Sequence, residues 1–237
     1  MDTGFSSASQ DGSQKKLILM CGLPGAGKTM TAHRIREALG DAIVVSRDYI
    51  RNHKKNGRLD DHSSNGEITT VDQIFYADVE KYIFVYSTVI LDATFKEYTR
   101  RQKAFKFAQE HGCHIFLIEC ICSYPTLLQR LKRQVQLEHK KFNRPLEEQL
   151  EYYIKSMQEP QKQLDGVSFI QFDTEKNQVV VQSIQDHSHL FAKQLLEILK
   201  QPYDPSLLEP FCAISYCENG WIEEVLSTDL SRTKAEK

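Results

Sequence analysis

Residues 21–31 read CGLPGAGKTMT, and this stretch decides the fold. Within it, Gly22 to Thr29 matches GxxxxGK[ST] without a gap. Glycines at this spacing let a backbone wrap closely around a ligand and turn its N–H groups inward, and the first turn of a following helix adds its positive end. A lysine beside the last glycine offers a mobile charge to the β- and γ-phosphates of a nucleotide, and the next hydroxyl suits Mg²⁺. Gly22, Pro24, Gly25, Ala26, Gly27, Lys28, Thr29 and Met30 are therefore the expected nucleotide-binding residues, with Lys28 also acting on the transferring phosphate and Thr29 on the metal. ATP and Mg²⁺ are the implied cofactors.

The motif has meaning only between a strand and a helix, and the flanks supply both. Residues 17–21 (LILMC) form a short apolar run of the kind buried in a parallel sheet. From about 29 to 39, Ala32, Ile35 and Leu39 share one helical face, and Gly40 is placed to end it. Working outward, strands are expected at 42–45, 88–93, 114–121 and 167–172, with one more allowed at 178–184. Helices are expected at about 67–85, 96–111, 125–137, from Pro145 to near Pro160, and at 188–200. Strands alternating with helices build right-handed βαβ units, so the fold class is α/β: a parallel sheet of about five strands flanked by helices.

The chain has 237 residues, a formal charge of −2 and 41% hydrophobic residues. That is enough for one core of ordinary size, and the charge makes any nucleic-acid site a local one. No apolar run is long enough to span a bilayer, so no membrane partner is expected. The organisation reads as a disordered leader (1–16), a kinase-sized domain (17–200) and a partly ordered extension (201–237) carrying Phe211, Tyr216 and Trp221. The polar start has no signal-peptide centre, so a cytoplasmic location is expected, with a nuclear one also open. The six cysteines form no zinc pattern and read as buried small hydrophobes and tail residues. The sequence leaves the oligomeric state open.

Ligands of open α/β sheets gather at the carboxyl ends of the strands, and two acids fall there. Asp48 follows the second strand in VVSRDYIRN, and Asp92 ends the third in VILDATF. Phosphoryl transfer to an alcohol needs an acceptor for the hydroxyl proton and a charge to steady the metal. Asp48, one strand away from the loop, suits the first role, and Asp92 the second. Each can instead be an ordinary strand-end acid, Asp48 as a helix N-cap. Arg51, one turn after Asp48, either clamps an acceptor phosphate or pairs with Asp48. After the fourth strand, Arg130 and Arg133 stand where nucleotide kinases carry a basic lid over the triphosphate. Lys132, Lys140, Lys141, Arg144 and an earlier group of Arg100, Arg101, Lys103 and Lys106 read as solvated surface. No NKxD-like guanine reader is visible. A large ATPase of the AAA type calls for more chain and an acidic pair where Asp92 stands alone.

SRDYIR, DAT with the arginine pair that follows, and NRPLEEQLEYYIKSMQEP together resemble the P-loop kinase domain of 5′-polynucleotide kinases and zeta-toxin-like kinases, over residues 17–173. That resemblance implies a P-loop NTPase fold of the nucleoside-kinase-like type. It makes Asp48 the general base, Arg51 an acceptor-phosphate contact, Thr94 a substrate contact, and Arg130 and Arg133 donor-phosphate contacts. Phe95 stands where those kinases have an asparagine. A second similarity, to 6-phosphofructo-2-kinases, runs through DATFKEYTRRQKAFKFAQEHGCHIFLIECICSYPT. The expected activity is γ-phosphate transfer from ATP to an alcohol, with a 5′-hydroxyl polynucleotide end as the favoured acceptor. The alternatives are a small phosphorylated substrate such as a sugar phosphate, and a nucleotide-binding adaptor without transfer.

Overall fold

The structure is a computed structural model that describes residues 14–53, 71–138, 145–162, 164–185 and 188–201. The chain divides into a unit of residues 1–202 and a unit of residues 203–237, and the second lies outside the described residues, as do the aromatic residues expected to pack there.

The strands are β1 (Lys16–Cys21), β2 (Ala42–Ser46), β3 (Thr88–Asp92), β4 (His114–Ile121), β5 (Val167–Asp173) and β6 (Gln178–Ser183). The helices are α1 (Lys28–Leu39), α2 (Arg47–His53), α3 (Val71–Ile83), α4 (Tyr98–Glu110), α5 (Tyr124–Glu138), α6 (Leu146–Ser156) and α7 (His189–Lys200). The strands form one sheet in the order β2-β3-β1-β4-β5-β6. β1 lies between parallel β3 and β4, with Leu17 opposite Val89 on one side and Ile115 on the other. Alternate side chains of these strands enter opposite faces, which is why LILMC is apolar throughout. Leu17, Leu19, Leu91 and Leu117 pack with Phe75, Val79 and Phe105 of α3 and α4. Ile18, Met20, Ile90 and Ile118 pack with Ala32 and Ile35 of α1 and Leu195 and Leu199 of α7.

The sheet has six strands rather than about five, and β6 runs antiparallel to β5. A short turn through Asn177, at φ 53, reverses the chain there, whereas a parallel neighbour needs a crossover. β6 alternates exposed and half-buried residues, as an edge strand does. Gly40 ends α1 as expected, at φ 72 with its N–H donating to the Arg36 carbonyl. α4 starts at Tyr98 rather than at 96, because Phe95 sits at φ 43 and Glu97 is extended. That turn also corrects the reading of Arg101 as surface. Its guanidinium is buried and donates to the carbonyls of Phe95 (2.8 Å), Lys96 (3.3 Å) and Glu159 (3.2 Å), tying the turn before α4 to the segment after α6. Residues 67–70 of the helix expected at 67–85, and Lys140, Lys141 and Arg144, lie outside the described residues. Among the described residues, no helix is long and apolar enough to cross a membrane.

Candidate active site

The loop between β1 and α1 folds as its glycines require. Gly22, Gly25 and Gly27 have φ of 136, 80 and 87, conformations costly for residues with a Cβ. At Gly22 space is also decisive, because a Cβ there would stand 2.4 Å from the Cys120 carbonyl oxygen of β4. The Gly22 N–H donates to the Thr94 carbonyl (3.2 Å), which ties the loop to the turn after β3 and brings Thr94 beside it. Ala26 is buried, while Pro24 and Met30 are half-buried on either side. Lys28 is buried, and its Nζ donates to the Leu23 carbonyl at 2.8 Å. The amine thus lies inside the curve of the loop, where a phosphate chain would meet it. Burial pushes the thiols of Cys21 and Cys120 up to about 12, so these neighbours are not nucleophiles at neutral pH.

Thr29 and Asp92 meet across the sheet. The Thr29 hydroxyl donates to Asp92 Oδ2 at 2.8 Å, joining the first turn of α1 to the end of β3. Burial pushes the Asp92 carboxyl above its usual range; Lys28 and hydrogen bonds from Thr29 and Ser46 oppose this, while the charge of Asp48 adds to it. A buried carboxylate with a hydroxyl at its side is an oxygen donor set suited to Mg²⁺, which takes one or two protein ligands and completes its shell with phosphate and water. Among the described residues no group of three or more His, Cys, Asp or Glu forms a cage for a metal, as this mode of binding requires none.

Asp48 lies one strand over. Ser46, opposite Asp92 in the β2–β3 register, accepts the Tyr49 N–H at 3.3 Å and so fills the capping role at α2. That answers the N-cap reading of Asp48. The Asp48 carboxylate is exposed and pairs with Arg51 Nη1 at 2.5 Å. Arg47, just before it, is buried with Nε 2.7 Å from Asp72 of α3, and fixes the turn that carries Asp48. Burial alone would raise the Asp72 carboxyl, but the Arg47 hydrogen bond and nearby cations outweigh it and hold it below the usual range.

On the other side of the loop the structure brings Arg130 to it and leaves Arg133 exposed on α5 beside Lys132. Arg130 Nη1 donates to Thr174 Oγ1 (2.8 Å) and the Gly25 carbonyl (3.3 Å), and Nη2 to the Thr174 carbonyl (3.3 Å). Thr174 follows β5 and is a contact that sequence reasoning missed. The available signal was its place at a strand's carboxyl end.

A family model described as "AAA domain" matches residues 17–160, from β1 to just past α6. The chain belongs to this AAA domain family. The reading that set aside a large AAA-type ATPase rested on length and on a single acid. Asp92 is that acid, and the family match places the chain under the AAA description at the length it has. Searched against curated proteins, the sequence finds no match. Among solved structures, a protein from Chloroflexus aurantiacus assigned as a kinase aligns with a TM-score of 0.51 at 15% identity, over 78% of this chain and 98% of that one. A gluconokinase from Sinorhizobium meliloti (0.42, 16% identity, 78% and 91% covered) and the Mycobacterium tuberculosis APS kinase (0.46, 14% identity, 79% and 99% covered) align less well. The AAA-domain chain has the P-loop kinase fold, and the expectation of an ATP-dependent phosphotransferase agrees with it. The finer likeness to polynucleotide kinases is not singled out among these structures.

Proposed function

We propose that the protein transfers the γ-phosphoryl group of ATP to a hydroxyl of a small anionic metabolite, such as a sugar phosphate. The observation that carries this reading is the Thr29–Asp92 contact beside Lys28, with Asp48 one strand away on the open side. In this reading the loop N–H groups and Lys28 hold the β- and γ-phosphates. Mg²⁺, held through Thr29 and Asp92, supplies charge neutralisation when bound. Arg51 holds an anionic group of the acceptor. Asp48 takes the hydroxyl proton as the acceptor oxygen bonds to the γ-phosphorus, and the bond to the β-bridging oxygen breaks to release ADP.

A small acceptor is favoured over a polynucleotide by how the basic residues are engaged. Arg100 lies 3.8 Å from Asp72 and 3.6 Å from Glu97, Lys106 lies 3.7 Å from Glu110, Lys132 lies 2.9 Å from Glu147, and Arg101 is buried. A nucleic-acid track needs cations directed at successive phosphates. The second reading, a 5′-hydroxyl polynucleotide end, rests on the resemblance of SRDYIR and DAT to that family. The test is transfer of labelled γ-phosphate to a panel of hexose phosphates, nucleosides, 5′-hydroxyl RNA and 5′-hydroxyl DNA. Label on a small molecule is the expected result. Label confined to oligonucleotide ends overturns the choice of acceptor, and bound ATP with no labelled product overturns transfer in favour of an adaptor.

A further inference from the structure

Thr174 sits behind the phosphate loop. Its hydroxyl oxygen lies 2.8 Å from Arg130 Nη1, 2.9 Å from the Ala26 carbonyl and 3.3 Å from the Ile121 carbonyl. A guanidinium can only donate, so the hydroxyl accepts from Arg130 and directs its own hydrogen at a carbonyl, with Ala26 the nearer. The Thr174 N–H donates to Ile121 (2.9 Å), which fixes the residue between the ends of β4 and β5. Its side chain also fills the space over Gly27, where an added Cβ would come within 3.1–3.2 Å of three Thr174 atoms.

The consequence lies in the geometry of the peptide bond. In a planar trans peptide, C=O and N–H point in opposite directions. A hydroxyl that holds the Ala26 carbonyl at the back of the loop therefore turns the Gly27 N–H toward the front. Arg130 also holds the Gly25 carbonyl at 3.3 Å, while the N–H of that peptide, on Ala26, donates to the Leu23 carbonyl at 3.1 Å, so both peptides are held and the Gly27 N–H is the one turned to the front. The front is where a phosphate anion would collect that N–H dipole.

We infer that Thr174, braced by Arg130, is a positioning residue that sets the phosphate loop for the β-phosphate. This rests on the reading of the loop as an ATP site. It also gives Arg130 a part in holding the loop.

The test is equilibrium binding of ADP, inorganic tripolyphosphate and adenosine to the full chain, with Thr174→Val, Thr174→Ser and Arg130→Lys. Valine keeps the shape and loses the hydroxyl. We expect it to weaken ADP and tripolyphosphate by roughly tenfold, the scale of one lost hydrogen bond in a buried site, and to leave adenosine unchanged. Serine keeps the hydroxyl and should bind phosphates as wild type does. Arg130→Lys, a point charge in place of a fork, should fall between. Equal phosphate affinity in wild type and Thr174→Val overturns the inference while leaving the ATP site standing. An equal loss for adenosine overturns it in favour of a general structural role, and a wild type that binds neither ADP nor tripolyphosphate overturns both readings. If Thr174→Val does not fold, Thr174→Ser and Thr174→Ala carry the comparison.

Discussion

Replacing Gly22 by alanine tests whether the loop is locked against the sheet as described. The residue sits at φ 136, and its new Cβ would stand 2.4 Å from the Cys120 carbonyl oxygen. Backbone strain of that kind costs about 1–3 kcal/mol. The contact is with backbone, and Cys120 is pinned in register opposite Phe172 of β5, so relief requires the strand itself to shift. Overpacking of this order costs about 1–3 kcal/mol more. Together they come to about 2–6 kcal/mol, and at about 2–4 °C per kcal/mol for a domain of this size the melting temperature should fall by about 4–24 °C. Gly40→Ala is the matched control: φ is 72, but nothing lies within 4 Å of the added Cβ. At φ 72 and ψ −48 the residue lies outside the left-handed helical well, so backbone strain of about 1–3 kcal/mol applies there without the clash, lessened by the stiffer unfolded chain. Its melting temperature should drop by about half as much as that of Gly22→Ala. Thermal unfolding followed by circular dichroism compares the two. A Gly22→Ala protein that melts within about 2 °C of wild type, or a Gly40→Ala protein hurt as much, refutes the reasoning.

Asp92→Asn separates metal binding from folding. The Asp92 carboxyl is raised by burial, so the native state holds its proton more tightly than the unfolded chain, and its contribution to stability is lost as pH rises from about the ordinary value of 3.8 through the raised one. At pH 7 without metal the asparagine variant should therefore melt at or above wild type, yet lose the Mg²⁺-dependent part of the stabilisation by ATP; differential scanning fluorimetry with and without Mg²⁺ reads both. His33 gives the opposite slope: burial and the charge of Arg36 lower its pKa to about 4 from 6.5, so the unfolded chain takes up a proton first and stability should fall as pH drops through that window. His33→Gln should flatten the fall in urea titrations at pH 4.5 and 6.5. Native-state thiol titration should find Cys21, Cys113 and Cys120 unreactive at pH 7, because all three are buried and their thiols are pushed up to about 12, 11 and 12.

Much of this architecture was legible before the structure. LILMC, the glycine loop and Ala32-Ile35-Leu39 each point to β1, the loop and α1, and agreement between local signals made that unit certain in kind. Asp92 was legible because a strand of apolar residues ended in an acid. Contacts spanning many residues were not legible. Thr174 reaches Ala26 across 148 positions, and its place at a strand's carboxyl end is the one mark that QFDTEK gives it. Arg101 read as surface because a basic run is usually solvated, and its burial follows from the carbonyls that a turn shaped by Phe95 at φ 43 directs at it. The antiparallel direction of β6 depended on a tight turn at Asn177, for which VSFIQFDTEKNQVVVQS carries no Asn-Gly signal. Ser46, not Asp48, fills the cap of α2, a choice between two nearby polar residues that only geometry makes.

The central claim is that Asp48 takes the acceptor proton in a phosphoryl transfer powered by ATP bound at the loop. The measurement that meets it most directly pairs two readouts on Asp48→Asn: ATP affinity by calorimetry, and transfer of labelled γ-phosphate to the best acceptor of the panel. The account predicts ATP affinity close to wild type and transfer reduced by about 10²–10⁴-fold, the usual worth of a positioned general base. Transfer at the wild-type rate in the variant contradicts it.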